Sequence, residues 1–323
     1  MLEQLKFVQG AVAKKDYNPA LTHFSIKDGK IKGSNGSLTL CAPIPLDLEI
    51  KPKAVPFVKA IQGCKGKTVQ IGVTPTGRLS VKAGKFRSLV ECTDQLFPDL
   101  EPEGDWVSFK VPILPALKHL IDFTGEDASR QWSLGILFKG DKAYATNNII
   151  AVQFELGSTF PVEINIPKTA VHELLRVGKE PVGAMVTNTS ITFMYDKNHW
   201  IRTQLYDLGW PDLTKLLNNE TELKPFPEGI FEAIETIMPF VDDGTRVYFK
   251  DNLVTTTLHD AAVGATVELD EMVPYSVFNA KYFLKLKGIA EQIDLSTYPR
   301  PCLFKGPNLR GVIMGMREAY EVD

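Results

Sequence analysis

Phe97-Pro98-Asp99-Leu100 and Trp210-Pro211-Asp212-Leu213 decide how this chain is read. One aromatic-Pro-Asp-Leu tetrapeptide is an ordinary surface turn, because Pro fixes φ and Asp hydrogen-bonds the backbone just beyond it. Two of them, each after a β-like run carrying an arginine (Arg87, Arg202), point to a duplicated unit.

Working outward, helical periodicity appears six times. Leu2, Leu5, Val8 and Val12 mark the first stretch, and Val55, Val58 and Ile61 the second. Leu114, Leu117, Leu120 and Ile121 mark the third, and Val171, Leu174, Leu175 and Val177 the fourth. Ile230, Ala233, Ile234 and Ile237 mark the fifth, and Tyr282, Phe283, Leu286 and Ile289 the sixth. Alternate stretches start about 110 residues apart, the length of a small domain. Between them lie β-branched, alternating runs such as Leu79-Ser-Val-Lys and Leu253-Val-Thr-Thr-Thr-Leu, with turns at Asp28-Gly29, Asn35-Gly36, Lys139-Gly140 and Asp243-Gly244. The expected fold is α+β: three tandem copies of a unit of two helices packed on antiparallel sheets, covering 1–105, 106–221 and 222–323.

These segments resemble the bacterial DNA polymerase III beta sliding-clamp family over essentially the whole chain. Gly84-Lys-Phe-Arg-Ser-Leu with Phe97-Pro-Asp-Leu is similar to the last strand and exit turn of that family's first domain. Trp132-Ser-Leu-Gly-Ile-Leu-Phe and Ala145-Thr-Asn-Asn-Ile-Ile-Ala-Val resemble the second domain's strand pair and its Ala-Thr-Asp-Gly-His-Arg-Leu-Ala segment. Ile166-Pro-Lys-Thr-Ala-Val-His-Glu-Leu-Leu resembles its second helix, and Val312-Ile-Met-Gly-Met-Arg the C-terminal Val-Val-Met-Pro-Met-Arg-Leu. The departures are Asn148, Ile149 and Ile150 for Gly-His-Arg, Gly315 for a proline, and Glu318-Ala-Tyr-Glu-Val-Asp after Arg317. Divergence of this kind would suit a viral member.

The resemblance implies a non-enzymatic processivity factor: two chains closing as a homodimer into a ring around duplex DNA, helices inside and strands outside. It also implies a groove for short Leu/Phe-rich peptides of the replicative polymerase and the clamp loader. Carried over by motif, that groove uses Thr146, Asn148, Ile149 and Ile150 as one wall, Pro211, Lys215 and Leu216 as floor, and Val312, Met314, Met316 and Arg317 for the rest. Val312, Ile313 and Met314 also read as the last core strand, and Ile313 is assigned there. Flexible Met side chains suit a site that adapts to different apolar ligands. The subunit seam would pair Phe86, Arg87, Ser88 and Leu89 with Ile237 and Met238; Ile237 reads equally well as core.

A DNA-facing surface should carry cations on its helices even though the formal net charge is -3. Lys14 and Lys15 end the first helix, Lys59 and Lys65 lie on and after the second, and Lys118 lies on the third. Lys168, Arg176 and Lys179 surround the fourth, and Lys281, Lys285 and Lys287 belong to the sixth, whereas Glu228, Glu232 and Glu235 make the fifth acidic. Lysines at helix ends also complement the helix dipole. Such contacts reach phosphates and position without specifying sequence.

Catalysis has no visible basis. Gly66-Lys67-Thr68 ends like a phosphate-binding loop, but Ile61 stands where its first glycine must be. His23, His119, His172, His199 and His259 show no metal-ligand spacing, Asp242-Asp243-Gly244 reads as a hairpin turn, and no cofactor or metal is expected. Cys41, Cys64, Cys92 and Cys302 are too scattered for a zinc site or disulfide framework, and no apolar run reaches the roughly 18 residues of a membrane span. The expectation is a soluble, cytoplasmic protein without a membrane partner. The rival reading is a non-enzymatic β-rich assembly protein, for instance of a virus particle, which leaves the helix-borne lysines unexplained.

Overall fold

The alternating β-branched runs become strands. The structure is a computed structural model that describes the chain except residues 67, 207–208, 220, 242–244, 259–262 and 318–323. Lys67, the turn at 242–244, His259 and the C-terminal tail therefore lie outside the described residues.

In chain order, α1 (Leu2–Gln9) precedes β1 (Ser25–Lys27), β2 (Lys30–Ser34) and β3 (Leu38–Pro43), and α2 (Ala54–Gly63) precedes β4 (Gln70–Val73), β5 (Leu79–Ala83) and β6 (Phe86–Val90). Next come β7 (Asp105–Ser108), α3 (Leu114–Leu120), β8 (Gly135–Lys139), β9 (Lys142–Thr146), β10 (Ile150–Glu155) and β11 (Ile164–Pro167). Then follow α4 (Lys168–Val177), β12 (Gly183–Val186), β13 (Ser190–Met194), β14 (Trp200–Gln204) and the short α5 (Thr214–Leu217). The chain ends with β15 (Lys224–Pro225), α6 (Ile230–Ile237), β16 (Arg246–Thr255), β17 (Thr266–Asn279), α7 (Ala280–Leu284), β18 (Gln292–Ile293), β19 (Cys302–Gly306) and β20 (Leu309–Ile313).

These elements form two compact units, one from Met1–Leu114 with Ile166–Tyr206, the other from Pro115–Asn165 with Asp207–Asp323. The first holds an antiparallel sheet in the order β1-β2-β3-β14-β13-β12-β7 and a smaller one, β4-β5-β6. Its seam is the β3–β14 pair, which sets Cys41 opposite Trp200 and Leu38 opposite Thr203. Helix α1 buries Leu5 and Val8 completely. It crosses β2 so closely that a Cβ at Gly33 would lie 2.3 Å from the Val8 carbonyl oxygen.

The sequence expectation carried α1 on to Val12 and made Lys14 and Lys15 its end, but the helix stops at Gln9. Space is the reason: a Cβ at Gly10 would meet Glu173 Oε2 at 1.8 Å and Arg176 Nη2 at 2.4 Å, so α4 closes over this turn. Arg176 then donates to the helix-end carbonyls of Lys6 (3.3 Å) and Phe7 (2.8 Å), the second of which also accepts the Gly10 N–H at 3.4 Å.

The second unit holds the sheet β11-β8-β9-β10-β20-β19-β18-β15 and the ribbon β16–β17. Helix α6 buries Ile230, Ala233, Ile234 and Ile237, the i, i+3, i+4, i+7 stripe of an amphipathic helix. Phe283 of α7 meets the rings of Phe249 and Phe278 at 5.1 Å each. Helix α7 ends at Leu284, earlier than the periodicity suggests, and 285–289 are turns with Gly288 at φ 75. Lys285 and Lys287 are therefore off the helix. Among the described residues the sheets are antiparallel and none closes into a barrel, and no helix is long and apolar enough to cross a membrane.

Candidate peptide groove and nucleic-acid contacts

The residues expected to form a groove come from three separate stretches, and strand pairing brings two of them together. β10 pairs with β20, setting Ile150 opposite Ile313 and Ala151 opposite Val312. The pairing continues past the strand end, where the Met314 N–H donates to the Ile149 carbonyl at 2.8 Å. The third stretch arrives through α5, whose Leu217 is buried with Ala151, Leu303 and Val312 while Leu213, Leu216, Tyr144 and Leu223 pack around them.

The hairpin at 146–150 is built to hold Asn148. Asn148 has φ 71, the left-handed region that Gly occupies freely and Asn tolerates best among other residues. Asn147 Oδ1 accepts from the Ile149 and Ile150 N–H groups (3.0 and 2.8 Å), and the Thr146 hydroxyl donates to the Ile150 carbonyl at 2.8 Å. The turn is thus closed with Asn148 in the left-handed position. Gly315 has a similar cause: a Cβ there would fall 2.5 Å from the Tyr298 ring, whose hydroxyl donates to the Met316 carbonyl at 2.8 Å.

Exposure divides the groove residues. Asn148, Pro211, Lys215, Met314 and Arg317 are exposed, and Ile149, Leu216 and Met316 half-buried. Ile150 is fully buried, and Thr146 and Val312 nearly so, which corrects the expectation that they offer side chains to a ligand. The sequence reading missed Tyr144, Trp210 and Leu213. Trp210 stands in the deciding tetrapeptide itself and was the available signal; its ring lies 5.4 Å from Trp132 and 6.5 Å from Tyr144.

The seam residues divide likewise. β6 is an edge of its sheet, with Arg87 and Leu89 exposed and Phe86 and Ser88 half-buried. Phe86 is turned inward, its Cζ within 2.8 Å of where a Gly63 Cβ would be. Ile237 is 0% exposed and belongs to the core, so its assignment to the seam is corrected. Met238 is half-buried, and its neighbour Phe240, which the sequence reading passed over, is 61% exposed.

Of the cations expected to meet DNA, the first unit exposes Lys14, Lys15, Lys59, Lys65 and Lys179 and the second Lys118 and Lys281; Lys168 is half-buried at the start of α4. Three others have work within the chain. Arg176 pairs with Glu173 (2.6 Å) besides capping α1. Lys285 donates to the Asp122 carbonyl at 2.6 Å, and Lys287 bridges Glu232 and Glu235 at 3.0 and 2.9 Å. Both carboxylates of α6 are thereby matched with a lysine that the sequence reading had reserved for phosphate.

No protein-family model matches the sequence, and no curated protein matches it. Solved structures do match. The DNA polymerase III beta chain of Streptococcus pneumoniae superposes with TM-score 0.82 at 18% identity, across 98% of this chain and 97% of that one. This chain has the bacterial beta sliding-clamp fold. The beta subunit of Streptococcus pyogenes DNA polymerase gives 0.78 at 21% identity, and the Pseudomonas aeruginosa sliding clamp bound to griselimycin 0.78 at 18%, each with the same coverage. The clamp fold accounts for the mix of helices and antiparallel sheets, because the match runs from one end of the chain to the other.

Proposed function

We propose that this protein is a DNA sliding clamp: a processivity factor that encircles duplex DNA without reading its sequence and tethers a polymerase and a clamp loader through short peptides. The carrying observation is that the clamp fold extends over 98% of the chain. In this reading 1–105, 106–221 and 222–323 are three clamp domains, two chains close a ring, and the protein works in the cytoplasm without chemistry of its own. Lys14, Lys15, Lys59, Lys65, Lys118, Lys179 and Lys281 would touch phosphates. Arg176, Lys285 and Lys287 would contribute less, since their charge is already shared.

Charge supports ring closure. Residues 65–90, which include β4, β5 and β6, hold Lys65, Lys67, Arg78, Lys82, Lys85 and Arg87 and no carboxylate. The β16–β17 ribbon holds Asp251, Glu268, Asp270 and Glu271 against Arg246 and Lys250, and α6 adds Glu232 and Glu235. A basic edge strand and an acidic ribbon favour head-to-tail contact, the heterologous kind of interface that makes rings, and would hide both strand edges. Leu89 and Arg87 of one chain would then lie near Met238 and Phe240 of the other. The peptide groove rests on the convergence of 148–150, 211–217 and 312–317, and on the fact that a clamp of this fold is solved with griselimycin bound.

The test is solution mass by light scattering over a concentration and salt series. Twice 35.9 kDa at low salt, falling towards the monomer as salt screens the seam, is the expected result. A monomer persisting to about a hundred micromolar protein at low salt would count against self-closure.

A further inference from the structure

A pocket of ≈ 200 Å³ opens in the second unit between the β8–β9 hairpin and the Trp210–Thr214 turn. We propose that it takes the cationic side chain of a basic residue in the peptide partner, the guanidinium of Arg or the ammonium of Lys, between two aromatic rings and a carboxylate rim. The inference rests on the peptide-groove reading and adds what that reading leaves open, the charge of the partner beside its apolar anchor.

Size comes first. One liquid water occupies about 30 Å³, so the space suits a side-chain end rather than a lone solvent molecule. Trp210 and Tyr144 supply its aromatic wall, and the edge-to-face contact of Trp132 with Trp210 fixes the indole. Aromatic faces carry the negative part of the ring quadrupole and attract cations. Leu137 and Leu213 complete the apolar part, which suits the methylene stem of a long basic side chain.

The rim sets the sign of the ligand. Glu163 and Asp212 line the pocket. Burial pushes the Tyr144 phenol above its usual pKa, and the nearby Glu155, Asp141 and Asp212 add to it. Four carboxylates thus face three lysines: Lys139, paired with Glu163 at 3.0 Å, Lys142, 3.9 Å from Glu155, and Lys215, which lies near Asp212. Hydrogen bonds from the Thr214 hydroxyl and N–H hold the Asp212 carboxyl below its ordinary range, so it is charged at the pocket rim. An acidic ligand would meet uncompensated like charge, and a purely apolar one would leave this field unused.

Position ties the pocket to the groove. Tyr144 and Leu213 line the pocket and also pack on the Ala151, Leu217, Leu303 and Val312 cluster beneath the groove. A peptide lying beside Met314 and Leu216 therefore brings a residue a few positions away over Trp210.

Two small probes separate this inference from the reading it rests on. Acetyl-Leu-Phe-amide, followed at the Met314 and Met316 methyl resonances, tests the groove. Acetyl-Arg-amide against acetyl-citrulline-amide, a neutral analogue of nearly the same shape, tests the pocket through the Trp210 indole N–H resonance, assigned with Trp210→Phe. The expected result is a shift of that resonance with apparent affinity about tenfold higher for Arg than for citrulline, reduced by Glu163→Gln and by Asp212→Asn. Equal response to both, a stronger response to acetyl-Leu-amide, or no response at Trp210 would overturn the proposal. Methyl shifts with Leu-Phe but none at Trp210 with Arg would sink the pocket and leave the groove standing. No methyl shift together with a charge-selective Trp210 shift would do the reverse.

Discussion

The two Pro-Asp-Leu turns hold corresponding places in the chain and are secured by opposite physics. After Phe97, the segment 99–103 is strapped to its sheet by two cations. Lys32, whose side chain is only 6% exposed, donates to Asp99 (2.5 Å), the Leu100 carbonyl (3.0 Å) and Glu101 (2.7 Å). Arg202 donates to the Glu101 carbonyl and pairs with Glu103. Around Trp210 the turn is secured by aromatic packing, and Asp212 reaches only two residues ahead, to the Thr214 N–H at 2.9 Å. The same tetrapeptide pattern thus gives a long-range charged strap in one unit and a local turn beside an apolar pocket in the other. A turn motif specifies where the chain bends, while its neighbours decide what the bend is for.

The largest expected effect breaks the strap from its acidic side. Asp99→Ala combined with Glu101→Ala strands a buried ammonium with little but a carbonyl to hold it, and should cost about 3 kcal/mol in urea unfolding. A loss below about 1 kcal/mol would mean that Lys32 reaches water or other partners easily. Trp210→Ala should cost about 2 kcal/mol, since a half-buried indole and two ring contacts are lost, and should abolish the pocket.

Arg176→Met comes next, at about 1 kcal/mol, because it uncaps α1, whereas Lys179→Met should leave stability unchanged and weaken DNA retention. If both substitutions touched only DNA, the cap would be ornamental. Asp212→Ala should move the urea midpoint least of all, since it removes a local turn bond and no more.

Acid distinguishes the turns as well. Hydrogen bonding from Lys32 holds the Asp99 carboxyl below its ordinary range. A folded-state pKa lower than the unfolded one means the contribution is complete above the ordinary carboxylate value and disappears as pH falls through the lowered one. Urea midpoints measured from about pH 6 to about pH 3 should therefore drop less steeply in Lys32→Met than in the parent chain.

Much of this architecture was legible in the sequence. The buried stripe Ile230, Ala233, Ile234 and Ile237 and the hairpin turns at Asp28-Gly29, Asn35-Gly36 and Lys139-Gly140 follow from local rules that the structure obeys. What could not be read was set by contacts far apart in the chain. Helix α1 stops at Gln9 because residues 173 and 176 occupy the space above Gly10. Lys32 looks like any strand lysine until Asp99 and Glu101 fold onto it, 67 and 69 residues later. Lys287 looked like a DNA contact because its carboxylate partners lie some fifty residues earlier, on α6. Segments 148–150 and 312–317 do lie side by side, but strand alternation, which buries Ile150 and Ile313 together, decides which of their side chains reach the surface.

Retention on DNA tests the central claim most directly. Subunits dissociated by dilution, mixed with nicked circular duplex and then concentrated, should close around some of the circles and stay with them through gel filtration. Cutting the circles once with a restriction enzyme should release the protein, because a ring that holds DNA topologically slides off an end. Equal retention on circular and linear DNA, or none on circles under conditions where the chain is dimeric, would contradict the clamp reading.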